Sequence, residues 1–290
     1  MTKPQPLSLV RSDPERAICF PAGRFTQPGF LVPFLLAAIG LVVFYAVQNF
    51  LVPHDSWWHL CFFRPEGGRE ISGIIVFLAL WSCAIMFIKW RKIAAQSQAL
   101  ERNLIPDDIK FSLSDETVAG TIEHLYSVAA EPRDYILYNR ILLTLSNFKN
   151  MGRIGDVEDV LRSRASNDAN AAEASYTILK GFIWAVPVLG FIGTVIGLSS
   201  AMGQFGTVLK SATNLDTLKP ALMGVTAGLS TGFETTMQGL IAALILQLTM
   251  TSLRRREEQM LTDFDDYCDA QVIGKLRVNQ REIGATGKVG

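Results

Sequence analysis

The sequence has little of what catalysts, metalloproteins and nucleic-acid binders are built from. Its 27 basic and 27 acidic residues cancel, so no net field draws it to nucleic acid. There are three histidines; two of them, His54 and His59, share one short loop without a third ligand, and no metal site is expected there. The four cysteines are scattered and form no CxxC pair. Cys83 lies in an apolar run, Cys19 and Cys268 sit in charged flanks, and only Cys61 is placed to meet an oxidising compartment. That argues against both a disulfide framework and a cysteine metal centre. No GxSxG, Walker or HExxH pattern occurs, and no carboxylate pair has a plausible pocket, so neither catalytic residues nor a bound cofactor are expected. Residues 1–29 are polar and proline-rich without an early apolar stretch, which argues against a cleavable signal peptide.

What the chain does have is apolar sequence, 49% of it, gathered into four runs. They are Phe30–Val52, Ile71–Trp90, Ile178–Met202 and Ala221–Leu253. A bilayer core takes about 20 helical residues, so each run can cross it, and the fourth, at about 50 Å, must tilt or protrude. The expected fold is an all-α membrane protein of four transmembrane helices with a helical cytoplasmic lobe. Five segments follow: 1–29, an N-terminal segment; 30–90, a transmembrane hairpin (30–52 and 71–90); 91–177, the lobe; 178–253, a helix pair; and 254–290, an amphipathic extension. Trp57, Trp58, Phe62 and Phe63 in the hairpin loop suit a membrane interface. In the lobe, Ile122, Leu125 and Tyr126, then Ile136, Leu137, Ile141, Leu142 and Leu145, recur at helical spacing. Asp156 and Asp159 suit a helix start, while Ala165–Ala174 reads as a loop, and so does Gln204–Lys219, with Pro220 opening the next helix. Leu253, Met260, Leu261, Phe264 and Cys268 mark the amphipathic extension, whose end should fray. Most lobe charges are expected to be solvated.

Basic residues fix the orientation. Lys3, Arg11, Arg16 and Arg24 precede the first run; Lys89, Arg91 and Lys92 follow the second; Arg254, Arg255 and Arg256 follow the fourth. The other two loops carry only Arg64 and Arg69, then Lys210 and Lys219. The positive-inside rule places both termini and the lobe in the cytoplasm.

Polar groups inside the runs are the functional candidates. At about 100° per residue, Pro187, Gly190, Thr194, Gly197 and Ala201 share one face of the third run, a face nearly free of side-chain bulk with one hydroxyl near its middle. In the fourth run, Gly224, Gly228 and Gly232 form a GxxxGxxxG ladder suited to close helix packing. Thr231, Thr235, Gln238 and Thr249 fall on one face, whereas Thr236 shares another with Gly232, Gly239 and Ala243. By that count Thr235 and Thr236 cannot both point straight into one lumen, and a threonine in a membrane span as often spends its hydroxyl on its own helix. Glu234 is either a charge at the membrane edge or a buried titratable group with a raised pKa.

The segment AVPVLGFIGTVIGL, followed by a loop and TTMQGLIAAL, resembles the MotA/TolQ/ExbB family of ion-driven motor subunits. The family's P-x-x-G-x-x-G-T-x-x-G pattern is matched by Pro187, Gly190, Gly193, Thr194 and Gly197, and its T-x-x-G-L pattern by Thr236, Gly239 and Leu240. The four-span plan is similar to the flagellar-stator (MotA) arrangement, and Phe233–Thr236 resembles the motor subunit of the Zorya defence system. The resemblance implies a homopentameric pore in the bacterial inner membrane around a dimer of a single-span partner of the MotB/TolR/ExbD kind, whose aspartate carries protons or sodium ions. It also implies that Thr194 and Thr236 line the ion pathway. Thr235, where the family often has alanine, adds a further hydroxyl and leaves proton versus sodium open. Glu234 departs from the apolar residue of TolQ and ExbB. Two other readings stay open: a self-contained proton-coupled transporter using Glu234, and a membrane scaffold whose glycines only pack helices.

Overall fold

A computed structural model of the chain describes residues 25–53, 56, 62, 68–102, 113, 115–147, 154–211 and 215–276. The readings placed on Lys3, Arg11, Arg16, Cys19, Arg24, His54, Trp57, Trp58, His59, Cys61, Phe63, Arg64 and the residues after Leu276 lie outside this set, as do the side chains of Arg69 and Lys210. The described helices are α1 (Leu31–Leu51), α2 (Gly68–Ser97), α3 (Asp115–Val128), α4 (Ile136–Asn147), α5 (Ile154–Ala174), α6 (Thr177–Ser211) and α7 (Leu215–Tyr267). No strand forms among the described residues; an isolated parallel bridge joins Leu113 and Leu276. Among the described residues four helical stretches are long and apolar enough to cross a membrane: Leu31–Leu51, Glu70–Ser97, Gly155–Thr207 and Leu222–Lys275.

Local chemistry explains several boundaries. α1 stops at Val52, which turns to extended backbone (φ −97°, ψ 128°) because Pro53 follows and disfavours helix in the residue before it. Two expected loops are helix instead. Ala165–Ala174 completes α5, since its alanines carry the highest helix propensity and outweigh the Asn and Asp among them. Of Gln204–Lys219, the part up to Ser211 ends α6 and the part from Leu215 begins α7, while 212–214 lie outside the described residues. Pro220 therefore lies in the second turn of α7 rather than opening it, a position where its missing N–H removes one bond of the ladder.

The chain forms two compact units. The first consists of Phe30–Phe87 and Tyr176–Ser252. Trp81 of α2 is its aromatic centre, with ring centroids 5.0 Å from Phe30, 5.1 Å from Phe34 and 4.8 Å from Phe182. Ile71 and Ile75 of α2 pack on Val186 of α6 and Ala243 of α7 in a small core. Large apolar side chains elsewhere in the unit point outward, among them Val42, Phe191, Leu244 and Leu248. A surface of that kind is at home in hydrocarbon or against other subunits.

The second unit gathers the described parts of Met1–Gly29, Ile88–Ser175 and Leu253–Gly290. Leu125, Leu137, Ile141, Leu145, Val157 and Phe264 are buried in it. So are Met260, Leu261 and Cys268, while Tyr126 remains exposed. Most described lobe charges are exposed, as expected, but the unit also holds a few charged groups inside. Lys89 donates to Glu257 at 2.8 Å and to Ser175 at 2.8 Å, with the lysine and glutamate side chains 0% and 1% exposed. Arg140 bonds Asp168 at 2.9 Å and also Asp265, tying α4, α5 and α7 together. Burial opposes the Arg140 charge, but the hydrogen bonds and field of Asp168 and the field of Asp265 outweigh it and hold the guanidinium pKa above its ordinary value. Gln96 caps α4 with both ends of one amide: Ile136 N–H donates to its Oε1 at 2.9 Å, and its Nε2 donates to Asp134 O at 2.9 Å.

Candidate functional site

The bulk-free face of the third run is where α6 meets α7. A Cβ built on Gly197 would lie 2.8 Å from Gly228 O, and one on Gly228 would lie 2.8 Å from Gly197 O and 2.6 Å from the Ala201 Cβ. On Gly232 it would meet the Thr194 Cα at 2.9 Å, on Gly190 the Thr235 O at 2.8 Å, and on Gly239 the Val186 O at 2.9 Å. Main chain thus touches main chain along several turns, the arrangement that small residues permit between membrane helices. Pro187 joins the same contact, since a Cβ built on Gly239 would lie 3.4 Å from its Cα. Gly224 lies two turns earlier on α7 than Gly232 and is half-buried.

This close approach gathers oxygens. The Thr194 hydroxyl reaches Gly232 O at 2.9 Å and meets the Thr236 hydroxyl directly. Thr236 in turn reaches Gly190 O at 3.0 Å. Each hydroxyl has one proton and two lone pairs. With one proton between the two hydroxyls and the other directed at a carbonyl, lone pairs remain to accept a proton or face a hard cation. Both threonine side chains are half-buried, so the pair is not sealed inside the chain.

Thr235 is placed differently. It is 1% exposed, donates to Gly232 O at 2.9 Å and Gly190 O at 3.3 Å, and its hydroxyl occupies the space a Gly193 side chain would need. The helical count put Thr235 and Thr236 on separate faces; in the structure both reach the Gly190 carbonyl. α6 lies so close that it rests over the ridge between the two faces, which angles along one helix cannot reveal. The polar stripe read along α7 also divides. Thr231 donates back to Ala227 O at 3.0 Å and Thr249 to Ile245 O at 2.8 Å, the local bonding common for threonine in membrane helices.

Glu234 and Gln238 occupy the side of α7 away from Thr236. Glu234 is 8% exposed and its Oε1 accepts from Ser230 at 3.1 Å. Gln238 accepts from Ser72 of α2 at 2.7 Å. Glu234 is therefore buried within the chain. Ser72 was missed by the sequence reading; a serine two residues into an apolar run was the available signal, without any hint of its partner 166 residues away. The described residues contain no group of acidic, histidine or cysteine side chains able to hold a metal.

Residues 128–266 match the model of the MotA/TolQ/ExbB proton channel family. The matched stretch contains α4, α5, α6 and all of α7 but its last residue, and so includes the Thr194–Thr236 pair, whereas α1 and α2 lie before it. No curated protein and no solved structure matches the chain.

Proposed function

We propose that this chain, which carries a domain of the MotA/TolQ/ExbB proton channel family over residues 128–266, is the ring-forming subunit of a rotary motor driven by proton or sodium motive force. Five copies enclose a dimer of a single-span partner of the MotB/TolR/ExbD kind, and the partner's membrane aspartate carries the ion. The protein lies in the bacterial inner membrane with both termini in the cytoplasm. Its role is transport rather than enzymatic turnover.

The observation that carries this reading is the meeting of Thr194 and Thr236 over the Gly190 and Gly232 carbonyls. A carboxylate in an apolar lumen is costly when charged and cheap when protonated or paired. Hydroxyl lone pairs facing it give the ion a place to load and unload. The membrane potential supplies about 2.3 kcal/mol per charge per 100 mV, which drives stepping when several ions pass. Thr235, pressed against Gly193, sets the helix spacing in this reading, so its hydroxyl is no argument for sodium.

The test is ion-dependent function of Thr194→Val and Thr236→Val in complexes that assemble normally. Both are expected to lose function, and Thr→Ser at either site to regain part of it. Wild-type behaviour from both valine variants refutes the pathway. A second reading, a self-contained transporter, is favoured by one observation: Glu234 is buried in a membrane helix. It predicts proton uptake by the chain without any partner, abolished by Glu234→Gln.

A further inference from the structure

Behind Gln238, on the side of α7 that faces α2, the first unit contains an apolar groove of about 280 Å³. Ile75, Ala79 and Cys83 of α2 form one wall, and Met237, Ile241 and Ile245 of α7 form the other. Phe44 and Phe62, packed edge to face at 5.2 Å, also line it. Among the described residues its lining has one polar side chain able to hydrogen-bond strongly, Gln238, whose carbonyl oxygen already accepts from Ser72.

Such a space does not hold water. An apolar cavity of about 150 Å³ stays dry and takes up benzene, and a water needs 2–4 polar partners that this lining lacks. Leaving it empty forfeits the dispersion contacts of every wall atom. The groove is continuous with the outward-facing apolar belt of α7, where Ile241 and Ile245 are 52% and 58% exposed. Where that belt faces the bilayer, the fluid in contact with it is hydrocarbon.

We propose that this groove is a binding site for one acyl chain of a bilayer phospholipid, held between α2 and α7. The chain completes the packing between the hairpin and the helix that carries Thr236 on its opposite side. The proposal rests on the membrane-spanning character of these helices and not on the motor reading.

The test uses the full-length protein in membranes doped with a phospholipid bearing a diazirine on one acyl chain, followed by mass-spectrometric mapping of the crosslinks. Crosslinks are expected to concentrate on Met237, Ile241 and Cys83, at several times the yield on Phe191 and Val195, which are exposed on α6. Ala79→Trp, which fills the groove, should cut the groove yield at least severalfold and leave the α6 yield unchanged. Cys83→Phe does the same more gently if the tryptophan disturbs folding. Equal labelling of the groove and the α6 face, indifferent to either filling variant, overturns the site. So does a photoreactive residue at position 79 that crosslinks to a second copy of the chain instead of to lipid.

Discussion

Gly197 and Gly203 are both glycines in α6, yet replacing each by alanine should shift stability in opposite directions. In a helix interior alanine is favoured over glycine by about 0.5–1 kcal/mol. Among the described residues nothing lies within 4 Å of a Cβ at Gly203, so that gain should appear undiminished. At Gly197 the added carbon would stand 2.8 Å from Gly228 O and 3.3 Å from Gly232 N, both main-chain atoms that cannot rotate aside. Overpacking of that kind costs about 1–3 kcal/mol, and a clash with backbone belongs in the upper part of the range. Subtracting the propensity gain leaves Gly197→Ala about 1–2 kcal/mol less stable than the parent, and about 2–3 kcal/mol below Gly203→Ala. Denaturing-detergent titration of the purified protein, followed by circular dichroism, measures both. The relief available to α6 is to move away from α7, which lengthens the Thr194–Gly232 bond from 2.9 Å and separates the two hydroxyls. Ion-dependent function should therefore fall in Gly197→Ala and persist in Gly203→Ala. Equal stability shifts for the two variants would refute the main-chain contact.

Breaking the buried pair by Lys89→Met or Glu257→Gln should cost about 3–5 kcal/mol in the same titration, because an uncompensated charge or polar group remains inside; Lys89→Met with Glu257→Met should recover most of it. Arg140→Lys keeps the charge but cannot bond Asp168 and Asp265 with one rigid fork, and a loss of about 1.5–3 kcal/mol is expected; Asp265→Asn should matter less than Asp168→Asn, since Asp265 is 45% exposed. Cys268, 3% exposed, should resist a thiol-reactive maleimide in the native protein and react once it is unfolded, as read by intact mass; rapid native labelling would contradict its burial. Gln238→Leu leaves the buried Ser72 hydroxyl without its acceptor and should cost about 1 kcal/mol, an effect that Ser72→Ala in the same chain should largely remove.

The sequence made the apolar architecture plain because bilayer length is a one-dimensional constraint. Each of the four apolar runs supplies one of the four helical stretches able to cross a membrane. The α6 face was equally plain, since Pro187, Gly190, Thr194, Gly197 and Ala201 keep helical spacing and a face without bulk must meet something closely. What the sequence hid depends on distance between helices. Thr235 and Thr236 share a carbonyl only because α6 comes near enough to lie over both. Lys89 looked like one more basic residue at a membrane edge, and Glu257 like an acid among arginines; their pairing spans 168 residues and leaves no local trace. Ala165–Ala174 and Gln204–Lys219 misled for a different reason. Polar composition reads as loop, but alanine propensity and continuation of an existing helix decide the backbone.

The α6–α7 contact has a thermal consequence. Ordering a long side chain costs up to about 2 kcal/mol of rotamer entropy, whereas glycine and alanine have none to lose. Gly190, Gly193, Gly197, Ala201, Gly228, Gly232 and Gly239 therefore bring the two helices together without freezing any side-chain rotamers. The spacing of the threonine hydroxyls is set by two rigid main chains, so it should hold nearly constant on warming, while the leucine-rich outer faces of the same helices grow steadily more disordered.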